Sequence, residues 1–349
     1  MIKELIDKLY TTNNLEEQEL LYLLNNLDKH DRGYLINKAY ETRLKHYGNT
    51  VFFRGLIEIS NFCKRDCYYC GIRASNIHAD RYRLSKEQIL HSCTTGYNLG
   101  YRTFVLQGGE DPFFTDEVLV DIISEIKKRF PQCAVTLSVG ERPYESYEKL
   151  YQAGADRFLL RHETATKSLY ESIHPNMSFE NRRKCLENLK KIGFQVGAGF
   201  LIGLPHQTNE DFVRDLIFLK ELNPHMVGIG PFIPQKNTPL KDEIGGDSYR
   251  TITLLAIIRL LLPEVLLPAT TALGTIDSEG REKAFRAGAN VIMPNLSPFE
   301  CRSKYALYDG KLFTSTEAAE EKKIIEQKII NAGFEPVMVR GDNIKWKRI

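Results

Sequence analysis

From Val51 onward, short β-branched or apolar runs alternate with amphipathic stretches of ten to fifteen residues. Eight such runs predict an α/β fold with a parallel sheet, closed as a (β/α)8 barrel of the TIM type. Length agrees: the stretch from Val51 to Asn295 is close to the roughly 250 residues that such a barrel needs. So do the junctions. NLGYRTFVL, QAGADRFLL, KIGFQVGAG and RAGANVIM each end a helix with a glycine and then enter a strand. Gly100, Gly154, Gly193 and Gly288 therefore read as left-handed helix caps. The alternative, an open doubly wound sheet, lacks a G-x-G-x-x-G after the first strand.

The elements follow in order. Leu5, Leu9, Leu20, Leu23, Leu24 and Leu27 recur at near-helical spacing and predict a helical N-terminal extension over residues 1–50. Strands are expected at Val51–Ile59, Arg102–Gln107, Ala134–Val139, Arg157–His162, Gln195–Ile202, Met226–Phe232, Leu266–Thr271 and Ala289–Met293. Helices between them are expected at Ser85–Leu99, Thr115–Phe130, Tyr144–Ala153, Phe179–Ile192, Asn209–Leu222, Ser248–Leu262 and Glu279–Ala287. The barrel then occupies residues 51–298. A C-terminal helical tail, 299–349, holds a charged helix over Thr316–Asn331, then Gly333 and a last strand over Glu335–Arg340. No low-complexity linker interrupts the chain, so one domain is expected.

Composition excludes several function classes. The 349 residues carry 47 Lys+Arg against 45 Asp+Glu, a net of +2, which gives no electrostatic reason to expect nucleic acid or an anionic membrane. Apolar residues make up 42%, an ordinary globular share. The most apolar run, Leu254 to Leu267, is broken by Arg259, Pro263 and Glu264, so it cannot span a bilayer. The N-terminus has no apolar signal region. Of seven cysteines, three lie within eight residues and four are scattered singly, which points to a reducing cytoplasm rather than a disulfide framework. Cys93, Cys133, Cys185 and Cys301 read as small buried hydrophobes.

The clustered cysteines are Cys63-x3-Cys67-x2-Cys70, directly after the first strand. In such a barrel, active sites sit on the loops after strands. Three thiolates on one loop can hold three irons of a [4Fe–4S] cube and leave the fourth open to another ligand. A zinc site would need a fourth ligand, and His78 is the nearest candidate, at a spacing that matches no common zinc module. C-x3-C-x2-C, with the aromatic Tyr69 before its last cysteine, resembles the signature of the radical S-adenosylmethionine (SAM) superfamily. The resemblance implies that SAM chelates the open iron, and that one electron cleaves its sulfonium C–S bond to a 5′-deoxyadenosyl radical. After the second strand, Gln107-Gly108-Gly109-Glu110 is similar to the superfamily loop that holds the SAM amine. After the fifth, the Gly199-Phe-Leu201-Ile-Gly203 segment resembles the adenine contact. It departs at its end, where His206 and Gln207 stand in place of an acid.

Strand side chains alternate with period two. Arg54, Leu56, Glu58 and Ser60 share a face, as do Ala134, Thr136 and Ser138, and Arg157, Leu159, Arg161 and Glu163. The barrel interior is thus expected to hold Arg54, Gln107, Thr136, Ser138, Arg161 and Glu163. Buried charge is costly unless paired, and an Arg54–Glu58 bridge is the bland alternative to ligand binding. Two arginines in a cavity suit an anionic substrate. Thr270, Thr271 and Met293 complete the wall.

RGLIEISNFCKRDCYYCGIR, VLQGGEDPFF, RFLLRHETA, MSFENR, MVGIGPFIPQKNTPL, LPATTALGT and GREKAFRAGANVIMPNLSP resemble the HydE family of [FeFe]-hydrogenase maturases, from Arg54 to Pro298. That resemblance implies attack by the radical on the sulfur of a small iron–carbonyl–cyanide–cysteine complex supplied by HydG, with handover to HydF- or HydG-type maturases. It implies that Cys63, Cys67 and Cys70 hold the cluster, with Tyr69 beside it. Gly108, Gly109, Glu110, Ser138, Glu163, Arg182 and Leu201 would bind SAM. Arg54, Gln107, Thr136, Arg161, Thr270, Thr271, Met293 and Tyr305 would line the substrate cavity. The tail lacks the extra cysteines that some members carry, so one cluster is expected, in a monomer. Methylornithine synthase has a similar overall pattern, but its family's substrate-gripping Arg and Asp are matched here by Gly228 and Ala272. Biotin synthase needs inward cysteines where Leu106, Ala134 and Gly197 stand. A non-enzymatic cluster scaffold would not need the Gly-Gly-Glu loop.

Overall fold

Eight parallel strand positions close into a ring. The computed structural model describes residues 1–312 and 318–348; Thr316, where the tail helix is expected to start, lies outside the described residues. The strands are β1 (Thr50–Phe53), β2 (Gly55–Ser60), β3 (Thr103–Gly108), β4 (Ala134–Ser138), β5 (Arg157–Leu159), β6 (Gln195–Ala198), β7 (Leu201–Ile202), β8 (Met226–Val227), β9 (Gly230–Pro231), β10 (Val291–Ile292) and β11 (Glu335–Val337). β2, β3, β4, β5, β6 and β8 pair in that order. Parallel bridges Met226–Leu266 and Pro268–Val291 carry the ring through the seventh position to β10. β10 pairs with β1, and a Leu56–Asn295 bridge completes the closure.

The alternation sorts side chains as expected. Phe104, Leu106, Val135, Leu137 and Phe158 are fully buried in one core with helix residues such as Leu119, Ile122, Leu186 and Leu189. The helices also stand where expected, from Lys86–Asn98 to Gly280–Arg286. Ser85 and Gln88 form a reciprocal capping box at the first of them. Gly100, Gly154, Gly193 and Gly288 have φ of 99, 114, 108 and 107°, the left-handed region that ends a helix at each junction. The helix Lys167–Ile173 and the short turn Phe299–Arg302 were not legible in the pattern.

Four strands differ from expectation. The first is split at Arg54. The fifth and sixth break at Gly199 and Gly228, where the backbones come so close that a Cβ on Gly199 would stand 1.9 Å from the Gly228 carbonyl oxygen. The seventh, expected over Leu266–Thr271, is reduced to two bridges. Pro268 has no N–H to give a ladder. Beyond it, the Thr270 hydroxyl caps the helix Thr271–Ile276.

The N-terminal helices Ile2–Thr12, Glu17–Asn26 and Lys29–Tyr47 pack outside the barrel. The first and third lie on Ser248–Leu261, which is buried almost all round. This double burial explains the longest apolar run without a membrane, and no described helix is long and apolar enough to cross one.

The C-terminal tail runs across the bottom of the barrel, at the N-terminal ends of the strands. β11 pairs with β1, after which Arg340, Gly341, Asp342 and Asn343 cross the opening. Arg157 donates to Asp342 at 2.6 Å and to Thr103 at 3.1 Å. Gln195 donates to Asp342 at 2.6 Å, and Asn343 donates to the carbonyls of His225 and Glu264. Arg54 belongs to this layer. It is 1% exposed, with its guanidinium against the Met226 sulfur at 2.9 Å and the Gly341 carbonyl at 3.3 Å. The expectation that Arg54 lines a substrate cavity is therefore corrected, as is its pairing with Glu58. Arg54 stands at the break between β1 and β2, with its side chain among the tail residues that cross the bottom.

Candidate active site

The cysteine loop leaves the top of β2 and is shaped by its own charged residues. Asp66 accepts from the Ser75 amide and hydroxyl, at 2.9 and 2.8 Å, and pairs with Arg73. Arg81 donates to the carbonyls of Ile72, Arg73 and Asn76 at 2.6–3.1 Å. These contacts satisfy a loop that cannot form regular backbone bonds.

All three cysteines are half-buried. Burial pushes the Cys63 and Cys67 thiols up, and that of Cys70 up to about 12. Coordination by a metal is what deprotonates such thiols. Among the described residues, the three ligand atoms that come within 4.8 Å of one another are those of Asp28, His30 and Asp31, an exposed trio at a helix start. A single tetrahedral zinc would need a fourth protein ligand beside the three thiolates, whereas a cube needs only these three and keeps one iron open.

The loop after β3 touches the cysteine loop directly. The Glu110 amide donates to Cys63 Sγ at 3.3 Å, and the Lys64 amide donates to the Glu110 carbonyl at 3.0 Å. A Cβ on Gly109 would stand 2.2 Å from the Phe62 carbonyl oxygen, so this approach requires glycine. Gly140, at φ 79°, is required for a second reason: a Cβ there would lie 2.0 Å from Glu110 Cγ. The Glu110 carboxylate accepts from the Glu141 amide at 2.9 Å and from Arg65 at 2.6 Å. Arg65 also meets Glu141 at 3.3 Å, and Glu141 holds Arg182 at 2.7 Å. The result is a chain of alternating charge along one side of the cysteines.

Above β5, Arg161 grips the Glu163 carboxylate with two nitrogens, at 2.6 and 3.1 Å. Glu163 has a left-handed backbone, φ 67°, costly for a side chain with a Cβ. Its amide donates to the Gly199 carbonyl and its own carbonyl accepts from Leu201, both at 3.0 Å, which pins that conformation. Leu201, Ile173, Leu204 and Phe232 form an apolar cluster against which Tyr69 packs. Gln207 holds this segment from below, accepting from Gly203 and Leu204 and donating to the Leu201 carbonyl.

Within the barrel, Leu56, Gln107, Ser138, Leu159, Arg161 and Met293 keep partial exposure although they lie on strand or strand-end positions. So do Thr270 and Thr271 beside them. An interior filled to native density would leave none, so these residues outline an accessible cavity. Tyr305 closes over it, with its hydroxyl 3.4 Å from Gln107 Nε2. Thr136 is corrected. It is fully buried one alternation below Ser138, and its hydroxyl has no partner. Cys93, Cys133, Cys185 and Cys301 are buried, as expected.

Several contributors were missed. Glu141 directly follows the Gly140 turn at the top of β4, the place where a barrel puts functional groups, and that position was its signal. Arg65 lies inside the cysteine motif itself. Met177, with its sulfur 3.9 Å from Cys67, and His174, beside Tyr69, come from an irregular loop that no periodicity marks.

Comparison with known proteins agrees with this geometry. Residues 57–249 match the model of the radical SAM superfamily. The chain is 51% identical to the [FeFe] hydrogenase maturase subunit HydE of Thermotoga maritima, over 78% of each chain. The crystal structure of methylornithine synthase superimposes with a TM-score of 0.84 at 26% identity, covering 95% of this chain and 97% of that one. The maturase HydG of Carboxydothermus hydrogenoformans shares the fold, with a TM-score of 0.81 at 19% identity over 97% of this chain and 79% of that one.

Proposed function

Because the chain belongs to the radical SAM superfamily, and within it to the family of the [FeFe]-hydrogenase maturase HydE, we propose that it builds part of the hydrogenase diiron subcluster by radical attack on the sulfur of an iron–carbonyl–cyanide–cysteine complex. That complex comes from HydG, and the product passes on to HydF- or HydG-type maturases. The observation that carries this reading is the 51% identity with the Thermotoga maritima HydE subunit.

When bound, a [4Fe–4S] cluster with SAM on its open iron supplies a 5′-deoxyadenosyl radical by one-electron cleavage of the sulfonium bond. The chain's own residues bind, orient and exclude water. Cys63, Cys67 and Cys70 hold the cluster, and the Glu110 amide bonded to Cys63 tunes it. Glu110 and Ser138 receive the SAM ammonium, and Arg182 anchors the acidic side of that site through Glu141. Glu163 takes the ribose end, while Leu201 and Tyr69 give adenine an apolar bed. Gln107, Arg161, Thr270, Thr271, Met293 and Tyr305 hold the iron complex, with Arg161 as the cation nearest its carboxylate. An amino-acid mutase reading is disfavoured, since Gly228 and Ala272 offer no charge to a second amino-acid group.

The test is anaerobic reconstitution with iron and sulfide, followed by electron paramagnetic resonance with and without SAM. A single reduced-cluster signal that shifts on SAM is expected, with 5′-deoxyadenosine formed in the absence of the iron complex and, when the synthetic iron–cysteine complex is supplied, the complex consumed with the adenosyl group carried onto its sulfur in place of 5′-deoxyadenosine. A cluster indifferent to SAM, or deoxyadenosine formed without any effect of the iron complex, would overturn the reading.

A further inference from the structure

Residues 304–312 cross the top of the barrel as a strap. The Asn61 side chain donates to the Lys304 carbonyl at 2.8 Å, and the Gly71 amide to that of Leu307 at 2.8 Å. The Asp309 amide donates to the Pro234 carbonyl at 3.2 Å, and the Leu312 amide to Thr275 Oγ1 at 3.4 Å. The Lys236 amide donates to the Asp309 carboxylate at 2.8 Å, and Lys304 pairs with Asp80 at 2.9 Å where both are open to solvent. The strap is thus tied to the cysteine loop, to the segment after β9 and to the helix Thr271–Ile276.

Another ionic tie is buried. The Lys311 ammonium donates to Glu58 Oε1 at 2.5 Å and to the Tyr305 carbonyl at 2.8 Å, and sits 4.7 Å from the centre of the Tyr305 ring. Glu58 is 1% exposed, and its second oxygen accepts from Asn295 at 2.9 Å. Glu58 is the register partner of Gln107 on the neighbouring strand, and Gln107 meets the Tyr305 hydroxyl. A single cation therefore holds one tyrosine by its carbonyl and its ring face, against a buried carboxylate that faces the cavity. Burying an ion pair gains little over apolar packing as a fastener. What it adds is a fixed geometry for the group it holds.

We propose that Lys311 is a positioning residue for the iron substrate: clamped to Glu58, it sets the Tyr305 hydroxyl opposite Gln107 and keeps the strap closed over the cavity. This rests on the functional reading above for the identity of the substrate, but the clamp itself does not.

The test uses reconstituted holoenzyme with K311M, K311R and the charge-neutral E58Q/K311Q. Hydrogen exchange over residues 303–312 reads the clamp, and SAM-dependent consumption of the synthetic iron–carbonyl–cyanide–cysteine complex, followed against its concentration, reads the positioning. In K311M, exchange is expected to speed by about tenfold or more and the substrate KM to rise by about tenfold, with the SAM-induced shift of the cluster signal intact; K311R is expected to recover most of both. E58Q/K311Q, which leaves no unpaired buried charge, guards against simple misfolding. Parental exchange in both K311M and E58Q/K311Q would overturn the clamp. Faster exchange with a parental KM, or loss of the SAM response together with KM, would overturn the positioning role. If the parent itself does not turn over the iron complex, the functional reading fails, and exchange still decides the clamp.

Discussion

The Tyr69 hydroxyl donates to Nε2 of His174 at 3.0 Å, because Nδ1 of the same ring is committed to the Tyr170 carbonyl, also at 3.0 Å. This fixes His174 as the neutral tautomer with its proton on Nδ1. Burial, and then the nearby Arg182, push its pKa down to about 3. The unfolded chain binds that proton near the ordinary histidine value of about 6.5. Stability from this group is present above about 6.5 and is lost as pH falls towards 3. H174Q is expected to flatten the stability slope in that window. Equal slopes in denaturant titrations of parent and variant would refute it.

The cysteine loop gives a contrast between two thiols. C67S is expected to lose the cluster signal and most bound iron. C301S, altered at a buried position in the tail, is expected to take up iron as the parent does. Iron analysis after reconstitution checks both, and a loss in C301S would tie the tail to cluster assembly.

Arg161 and Glu163 hold each other across the cavity rim. R161A is expected to lower hydrogenase maturation by about 100-fold or more and SAM cleavage by less than about tenfold, since Glu163 remains. A cell-free maturation assay run beside deoxyadenosine release separates the two. Intact maturation would remove Arg161 from the substrate site.

Asp342 reports on the bottom of the barrel. Burial opposes its ionisation, but Arg157, Arg340 and Gln195 outweigh that and hold its carboxyl at about 2. Its contribution is present above the ordinary carboxylate value of about 3.9 and is lost as pH falls through about 2. D342N is therefore expected to be less stable than the parent at neutral pH, with the gap closing in acid. R157M, which removes one guanidinium from Asp342 while Arg340 and Gln195 remain, is expected to cost about 1–3 kcal/mol. Thermal unfolding at pH 7 and pH 2.5 measures both.

Much of the barrel was legible because its signals are local. Phe104, Leu106, Val135 and Leu137 announce strands by alternation, and glycine closes the preceding helices. The cysteine spacing and the Gly-Gly-Glu loop were legible because each is a short run at a strand end. What was hidden depends on distance in sequence. Period two shows that Arg54 points inward, but not that Gly341, 287 residues later, waits beneath it. The same alternation placed Thr136 inside without saying how deep the cavity reaches. Glu58 found Lys311 in place of Arg54, a pairing 253 residues long that no pattern could reveal. The seventh strand failed for a local reason instead: a proline and a helix cap interrupt it.

The tail that seals the bottom and straps the top also sets an order of events during synthesis. The ring of strands is complete once β10 has left the ribosome. The cover over the cysteine loop, Tyr305 to Leu307, and the plug at Arg340 to Asn343 are made only afterwards. The groups that cover the cysteine loop and those that plug the bottom are therefore the last to join a ring already closed by β10.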